Sequence, residues 1–189
     1  MLGIFGSPRK GGNSDLLLDA LLNEAEMLGA SVERIYVREL KVSPCIECGS
    51  CETTGRCVIE DEMQLIYEKL DSADAIVIAT PIFFYHVPAQ LKCAIDRAQA
   101  LWARKHKLKV ADDAPKRKGY LIAVGATSGR RLFDGVRLTV KYFFEAIGAE
   151  YAGELLVRGV EGKGDVLNHP NALREAKKLA HKLLAAHPQ

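Results

Sequence analysis

The stretch 74-DAIVIAT-80 places five apolar residues, Ala75 to Ala79, in one unbroken row. A strand with one wet face alternates polar and apolar residues. A run without alternation belongs to a strand covered on both faces, as in the middle of a parallel sheet. Parallel neighbours must be joined by crossovers, usually helices, so the segments between strands should read as helical. They do. Strand-like runs recur at 1-MLGIFG-6, 31-SVERIYV-37, 120-YLIAVGA-126 and about 152-AGELLVRG-159. Between them, 14–28 carries Leu17, Leu18, Leu21, Leu22, Ala25 and Leu28 at helical spacing, and 61–71 gives a short second helix. Residues 88–103 align Leu91, Ala94, Ile95, Ala98, Leu101 and Trp102; residues 133–147 align Phe133, Val136, Val140, Phe143, Phe144 and Ile147. A last helix from near Pro170 should bury Leu173, Ala176, Leu179, Ala180 and Leu183. Ser14 is the expected cap of the first helix, Gly29 its stop, and Pro170 the opening residue of the last. Five strands alternating with five helices predict an α/β fold, a doubly wound five-stranded parallel sheet with helices on both faces.

A chain of 189 residues suits one domain over 1–189, with a cysteine-rich loop at 44–58. A net charge of +2 gives no reason to expect nucleic acid as a partner. The opening MLGIFGSPRK lacks the basic, apolar and small-residue regions of a signal peptide, and no apolar run approaches the roughly 20 residues of a spanning helix. The expectation is a cytoplasmic protein with no membrane segment. The polar stretch 104-RKHKLKVADDAPKRK-118 reads as a solvated surface excursion, with docking of an acidic electron-transfer partner as the alternative.

Four of the five cysteines, Cys45, Cys48, Cys51 and Cys57, fall within thirteen residues. In a reducing compartment clustered cysteines point to metal or redox chemistry before disulfides. The spacing C-x2-C-x2-C-x5-C lets three thiolates wrap one centre as in bacterial ferredoxins, and Gly55 in the longer spacer could turn Cys57 back to the same centre. Structural zinc usually takes two separated C-x2-C pairs, which this spacing does not match. A 4Fe–4S cluster is the first reading, with zinc and a thiol-redox loop as alternatives. Cys93 reads as a small packing residue.

The first strand runs into 6-GSPRKGGNS-14 and then a helix. Such a loop lies at the carboxyl edge of the sheet, where ligands bind. Glycines admit a close backbone approach, Ser7, Asn13 and Ser14 can donate, Arg9 supplies charge, and the helix start adds free amides. The Walker motif fails because Gly12 stands where lysine is required, and G-x-G-x-x-G fails on spacing.

Three stretches together, 6-GSPRKGGNS-14, 80-TPIFFYHVPAQLKCAIDRA-98 and 125-GATSGRRLFDGV-136, resemble the NADPH-dependent FMN reductase family, and with 44-PCIECGSC the chain is similar to its iron-sulfur flavoprotein branch. The resemblance spans residues from about 1 to 180. It implies a flavodoxin-like sheet of order 2-1-3-4-5. It implies FMN held by Ser7, Arg9, Asn13 and Ser14 at the phosphate. Pro81, Ile82, Phe83 and Phe84 would line the ring, partly through backbone groups, and Thr127, Ser128 and Gly129 would close its other side. It supports Cys45, Cys48, Cys51 and Cys57 as ligands of a 4Fe–4S cluster. His86 is expected at the surface, or near enough to the flavin to tune it.

The activity so implied is that of an FMN-dependent oxidoreductase. It would carry electrons from a one-electron donor such as ferredoxin to a two-electron acceptor such as a quinone, oxygen or peroxide. No catalytic side chain is needed, because the cofactors carry the chemistry. A homodimer or homotetramer is implied as well. One alternative is an NAD(P)H-dependent FMN, quinone or nitroaromatic reductase with a structural cysteine loop. Another is a non-enzymatic redox sensor or carrier.

Overall fold

In the computed structural model, which describes residues 1–110 and 117–185, strands and helices alternate along the chain. They are β1 (Leu2–Phe5), α1 (Asn13–Met27), β2 (Glu33–Tyr36), α2 (Cys51–Thr54), α3 (Met63–Ser72), β3 (Ala75–Pro81), α4 (Ala89–Arg97), α5 (Gln99–His106), β4 (Arg117–Gly125), α6 (Asp134–Ala146), β5 (Ala149–Arg158) and α7 (Ala172–Ala185). The strands form one parallel sheet in the order β2-β1-β3-β4-β5, with Ile4 opposite both Ile35 and Ile78.

Side-chain parity divides the apolar run of β3 between two cores. Ile76 and Ile78 pack with residues of α3, α4, α5 and α6, whereas Ala75, Val77 and Ala79 pack with α1 and α7. Neighbouring β4 divides the same way, Leu121 and Ala123 to the first layer and Tyr120, Ile122 and Val124 to the second. Each fully buried Leu or Ile contributes about 1.5–3 kcal/mol, so the two cores hold the sheet without staples. Gly3 lets α1 approach closely, because a Cβ there would stand 2.5 Å from Leu22.

Three boundaries depart from the sequence-based expectation. Helix α1 begins at Asn13 with Gly12 as its cap, so Ser14 lies inside the first turn and caps nothing. The expected single helix over 88–103 is two, α4 and α5, meeting at Ala98. The cause is Tyr67, whose hydroxyl donates to the Arg97 carbonyl at 2.6 Å, while the Leu101 amide bonds Ala98 instead. Pro170 stands outside α7, where the ring of His169 accepts the amides of Asn171 and Ala172 and Asn171 takes the first helical bond. The expected stop at Gly29 matches its left-handed φ of 91°. Of the polar stretch at 104–118, Arg104–His106 close α5 and Arg117 and Lys118 open β4, while 111–116 lie outside the described residues. Among the described residues, no helix is long and apolar enough to cross a membrane.

Candidate functional site

One cavity opens among the loops that leave the carboxyl ends of the strands, and a second between the segment after β2 and the junction of α4 with α5. The first, of about 410 Å³, lies between the loop after β1, the end of β3, the end of β4 and the loop after β5. Ser7, Arg9, Asn13, Ser14, Pro81, Ile82 and Phe83, among the residues expected to hold FMN, line it together with Gly125 and Ala126. Phe84, Thr127, Ser128 and Gly129 do not line it, and all four are exposed.

The loop that would meet a phosphate is held from beneath. Asp15, 2% exposed, accepts from the Gly11 amide at 3.0 Å and from Arg38 at 2.9 Å, and Arg38 also donates to the Ser7 carbonyl at 3.2 Å. Burial pushes the Asp15 carboxyl up, against the pull of Arg38 and the Gly11 amide. Arg38 in turn lies 4.7 Å over the Tyr36 ring, which stacks on Phe5. Asp15 and Arg38 were not singled out from the sequence. Asp15 reads there as one more polar residue of an amphipathic helix, and only the sheet order brings the end of β2 beside it.

The donors expected for phosphate divide into free and engaged groups. The Ser14 hydroxyl is buried, lines the cavity and has no partner within the protein, and the first-turn amides of α1 have no intrahelical acceptor. These groups suit an anion, so the donor set fits a phosphate. The Ser7 hydroxyl is spent inside its own loop, accepting from the Arg9 amide at 3.1 Å. Asn13 uses its amide on the loop after β5, donating to Gly162 O and accepting from Gly164 and Val166 amides. Asn13 thus shapes the cavity by fixing a wall. The Ile82 amide bonds Val124 O and the Phe83 amide bonds His86 O, so neither remains for a ring.

Beside this cavity residues 83–86 form a two-residue hairpin, with paired 2.9 Å bonds between Phe83 and His86. Phe84 and Tyr85 occupy its tip with φ of 48° and 65°, a left-handed region costly for bulky residues. The turn is held in place. Gly135 leaves room for the Tyr85 carbonyl, which a Cβ would approach to 2.5 Å, and His86 Nε2 bonds the Thr139 hydroxyl at 2.7 Å. His86 is half-buried and tied to α6.

The second cavity, of about 590 Å³, is lined by all four clustered cysteines. Left-handed turns at Glu47, Gly49 and Gly55 fold the segment around it, and Gly55 brings Cys57 back as the spacing suggested. Cys45 Sγ accepts from the Glu47 amide at 3.5 Å, and the Ser50 amide and hydroxyl hold the Cys48 thiol below its usual range. Burial pushes the Cys51 thiol up, and the neighbouring sulfurs of Cys57, Cys45 and Cys48 add to it. All five cysteines are free thiols, and Cys93, half-buried on α4, is not part of this lining. Among the described residues, no three His, Cys, Asp or Glu side chains converge where a single metal ion would sit. The four thiols line one shared space, and four cysteines are the donor set that an iron–sulfur cluster takes.

Both stems of the cysteine loop meet one guanidinium. Arg97, whose side chain is fully buried, forks Asp61 at 2.9 and 3.1 Å and donates to Ser43 O and Ile59 O, each at 3.0 Å. Burial pushes the Asp61 carboxyl up, but Arg97 and the Ser43 and Met63 amides outweigh it and hold it below the usual range. Arg104 adds a bond to Gly55 O at 2.9 Å.

A family model described as NADPH-dependent FMN reductase matches residues 1–149. An iron-sulfur flavoprotein of Methanosarcina thermophila is 40% identical over 107 residues, 57% of this chain and 56% of the relative. One from Methanocaldococcus jannaschii is 35% identical over 127 residues, 67% of this chain and 62% of the relative. The chain thus spans less than two thirds of the length of these curated relatives. The solved structure of an NAD(P)H:quinone oxidoreductase from Methanothermobacter marburgensis superposes with a TM-score of 0.72 at 16% identity, covering 96% of this chain and 94% of that one, a likeness of fold.

Proposed function

The chain belongs to the NADPH-dependent FMN reductase family, in its iron-sulfur flavoprotein branch, and from this premise we propose that it is an FMN-dependent oxidoreductase that relays electrons through a 4Fe–4S cluster. Cys45, Cys48, Cys51 and Cys57 would ligate the cluster. The carrying observation is that these four cysteines line a single cavity, between the segment that follows β2 and the junction of α4 with α5. The compact C-x2-C-x2-C-x5-C spacing suits a cluster better than structural zinc, which usually takes two separated C-x2-C pairs.

When bound, FMN supplies two-electron chemistry and the cluster one-electron chemistry, which together join a donor such as ferredoxin to an acceptor such as a quinone, oxygen or peroxide. The chain's own part is to bind and orient. Ser14 and the first turn of α1 offer hydrogen bonds to the phosphate, with Arg9 adding charge at the rim. Pro81, Ile82 and Phe83 present an apolar wall to the ring. The Glu47 amide donates to Cys45 Sγ, and the Ser50 amide and hydroxyl favour the thiolate form of Cys48.

A second reading is direct reduction by NADPH with a structural cysteine loop. The family description favours it, as does the exposed Phe83–Tyr85 tip beside the cavity, an open face for a nicotinamide. Anaerobic purification decides the first point: about four irons and one FMN per chain support the proposal, and one zinc without iron overturns it. Rates with reduced ferredoxin against rates with NADPH then separate the readings. A homodimer or homotetramer would bring a cluster near a neighbouring flavin, and a fully active monomer by sedimentation would exclude that arrangement.

A further inference from the structure

We propose that Arg97 is a positioning residue for the cysteine cavity, closing the loop at its base and setting a positive charge beside Cys57 that favours the reduced form of a cluster held there. This rests on the reading above that the cavity holds an iron–sulfur cluster.

Three observations converge. First, the guanidinium reaches Ser43, two residues before Cys45, and Ile59, two residues after Cys57, so one side chain fixes the separation of both stems. Second, Arg97 lines the cysteine cavity, where the other charged groups are Glu47, Glu52 and Asp96, while Asp61 lines the adjoining cavity with Cys57. Arg97 is thus the cation in that lining, and it feels the charge of Cys57. Third, all four hydrogens on the two Nη atoms are engaged, while Nε is buried without a partner. A buried N–H left unpaired is costly, and here it belongs to a residue lining the space a cluster would fill. An added electron makes the cluster more negative by one charge. A nearby cation and a hydrogen bond to sulfur both lower the energy of that form, which raises the potential.

The test uses the intact protein in three charge states of the pair. Arg97→Gln removes the cation and Asp61→Asn removes its counter-charge. Redox titration of the iron-loaded proteins, followed by electron paramagnetic resonance, reads the midpoint. Arg97→Gln should shift the reduction equilibrium against the reduced form by about tenfold, roughly 59 mV for one electron, and Asp61→Asn should shift it the other way. Midpoints that stay at the wild-type value, or move in one direction for both variants, overturn the proposal, since a purely structural clamp predicts no opposition of sign. Should Arg97→Gln hold no iron, Asp61→Asn decides alone: an unchanged or lowered midpoint overturns it. The clamp is read separately in iron-free protein, where amide exchange across 43–61 should quicken about tenfold or more in Arg97→Gln. Unchanged exchange overturns that half. A wild-type protein that takes up no iron would sink the proposed function, while the exchange result would stand on its own.

Discussion

Replacing Phe84 by Asn should stabilise the flavin-free protein. Phe84 holds φ of 48° at the tip of the 83–86 hairpin and is fully exposed at 102%, so its ring contributes no packing within the chain. A left-handed conformation costs an ordinary L-residue about 1–2 kcal/mol, and Asn relieves much of this because its short polar side chain bonds locally. With no burial to lose, the net gain is about 1 kcal/mol. For a chain of 189 residues that is a rise in melting temperature of about 2–4 °C. Phe84→Gly is a poorer choice, since its entropic cost of roughly 0.5–1 kcal/mol cancels the relief. Phe84→Val is the control with the opposite sign, because a β-branched residue tolerates positive φ least. Calorimetry on flavin-free proteins measures all three. If Phe84→Asn melts at or below wild type, or Phe84→Val melts above it, the strain is absent and the reasoning fails. A flavin titration on the same samples then asks what the strain is for: weaker FMN binding by Phe84→Asn would mean that the exposed ring serves the ligand.

Three further outcomes follow from the two cavities. Cys48→Ser should lose iron and keep FMN, because the cavities share no lining residue; joint loss, measured by iron assay and flavin absorbance, would contradict this. Arg38→Ala should strand the buried Asp15 carboxylate, costing about 3–5 kcal/mol and weakening FMN at least tenfold, with partial recovery of stability in the double variant with Asp15→Asn; denaturant melts and flavin titration check it. Asp61 should titrate below its ordinary 3.8, so its contribution is complete above that value and is lost as pH falls through the lower folded one; the Ser43 and Met63 amide shifts report it by NMR, and a midpoint at or above 3.8 would refute it.

The sheet was legible because burial on both faces leaves a simple trace: β3 has no polar residue between Ala75 and Ala79, and its neighbours carry compatible runs. Helix ends were less legible, since they turn on contacts distant in sequence. No local pattern announces that Tyr67 will take the Arg97 carbonyl and divide α4 from α5, or that His169 will accept the amides ahead of α7. In the loop after β1, composition pointed to a segment that lines a cavity but could not say which donors were free. Asn13 and Ser14 look equally available in GGNS, yet one is consumed by a loop some 150 residues away and the other is left open. The cysteines were legible as a group through spacing. Arg97 stood in the quoted "DR" pair, but its reach to both stems of the cysteine loop depends on the stacking of α4 against residues 43–61.

The two arginines also explain how one short segment can serve both cavities. Residues 37–43 leave β2 and lead into the cysteine loop. Near their start Arg38 bonds the Ser7 carbonyl in the phosphate loop, and at their end the Ser43 carbonyl is bonded by Arg97. The segment is therefore pinned at one end by the nearly buried Arg38 and at the other by the buried Arg97, each paired with one buried or nearly buried carboxylate, Asp15 or Asp61. Such pairs are weak sources of net stability, but removing either partner is expensive, so they define position strictly. This fits cavities that are chemically separate and mechanically joined. Loss of one thiol need not disturb the phosphate loop, whereas loss of Arg38 or Arg97 frees an end of the connection between them. A double-mutant cycle of Arg38→Ala and Arg97→Gln separates this from two unrelated clamps. Coupling of at least about 0.5 kcal/mol, between side chains that do not touch each other, is expected if the segment transmits. Strict additivity in denaturant melts would mean that each arginine serves its own loop alone.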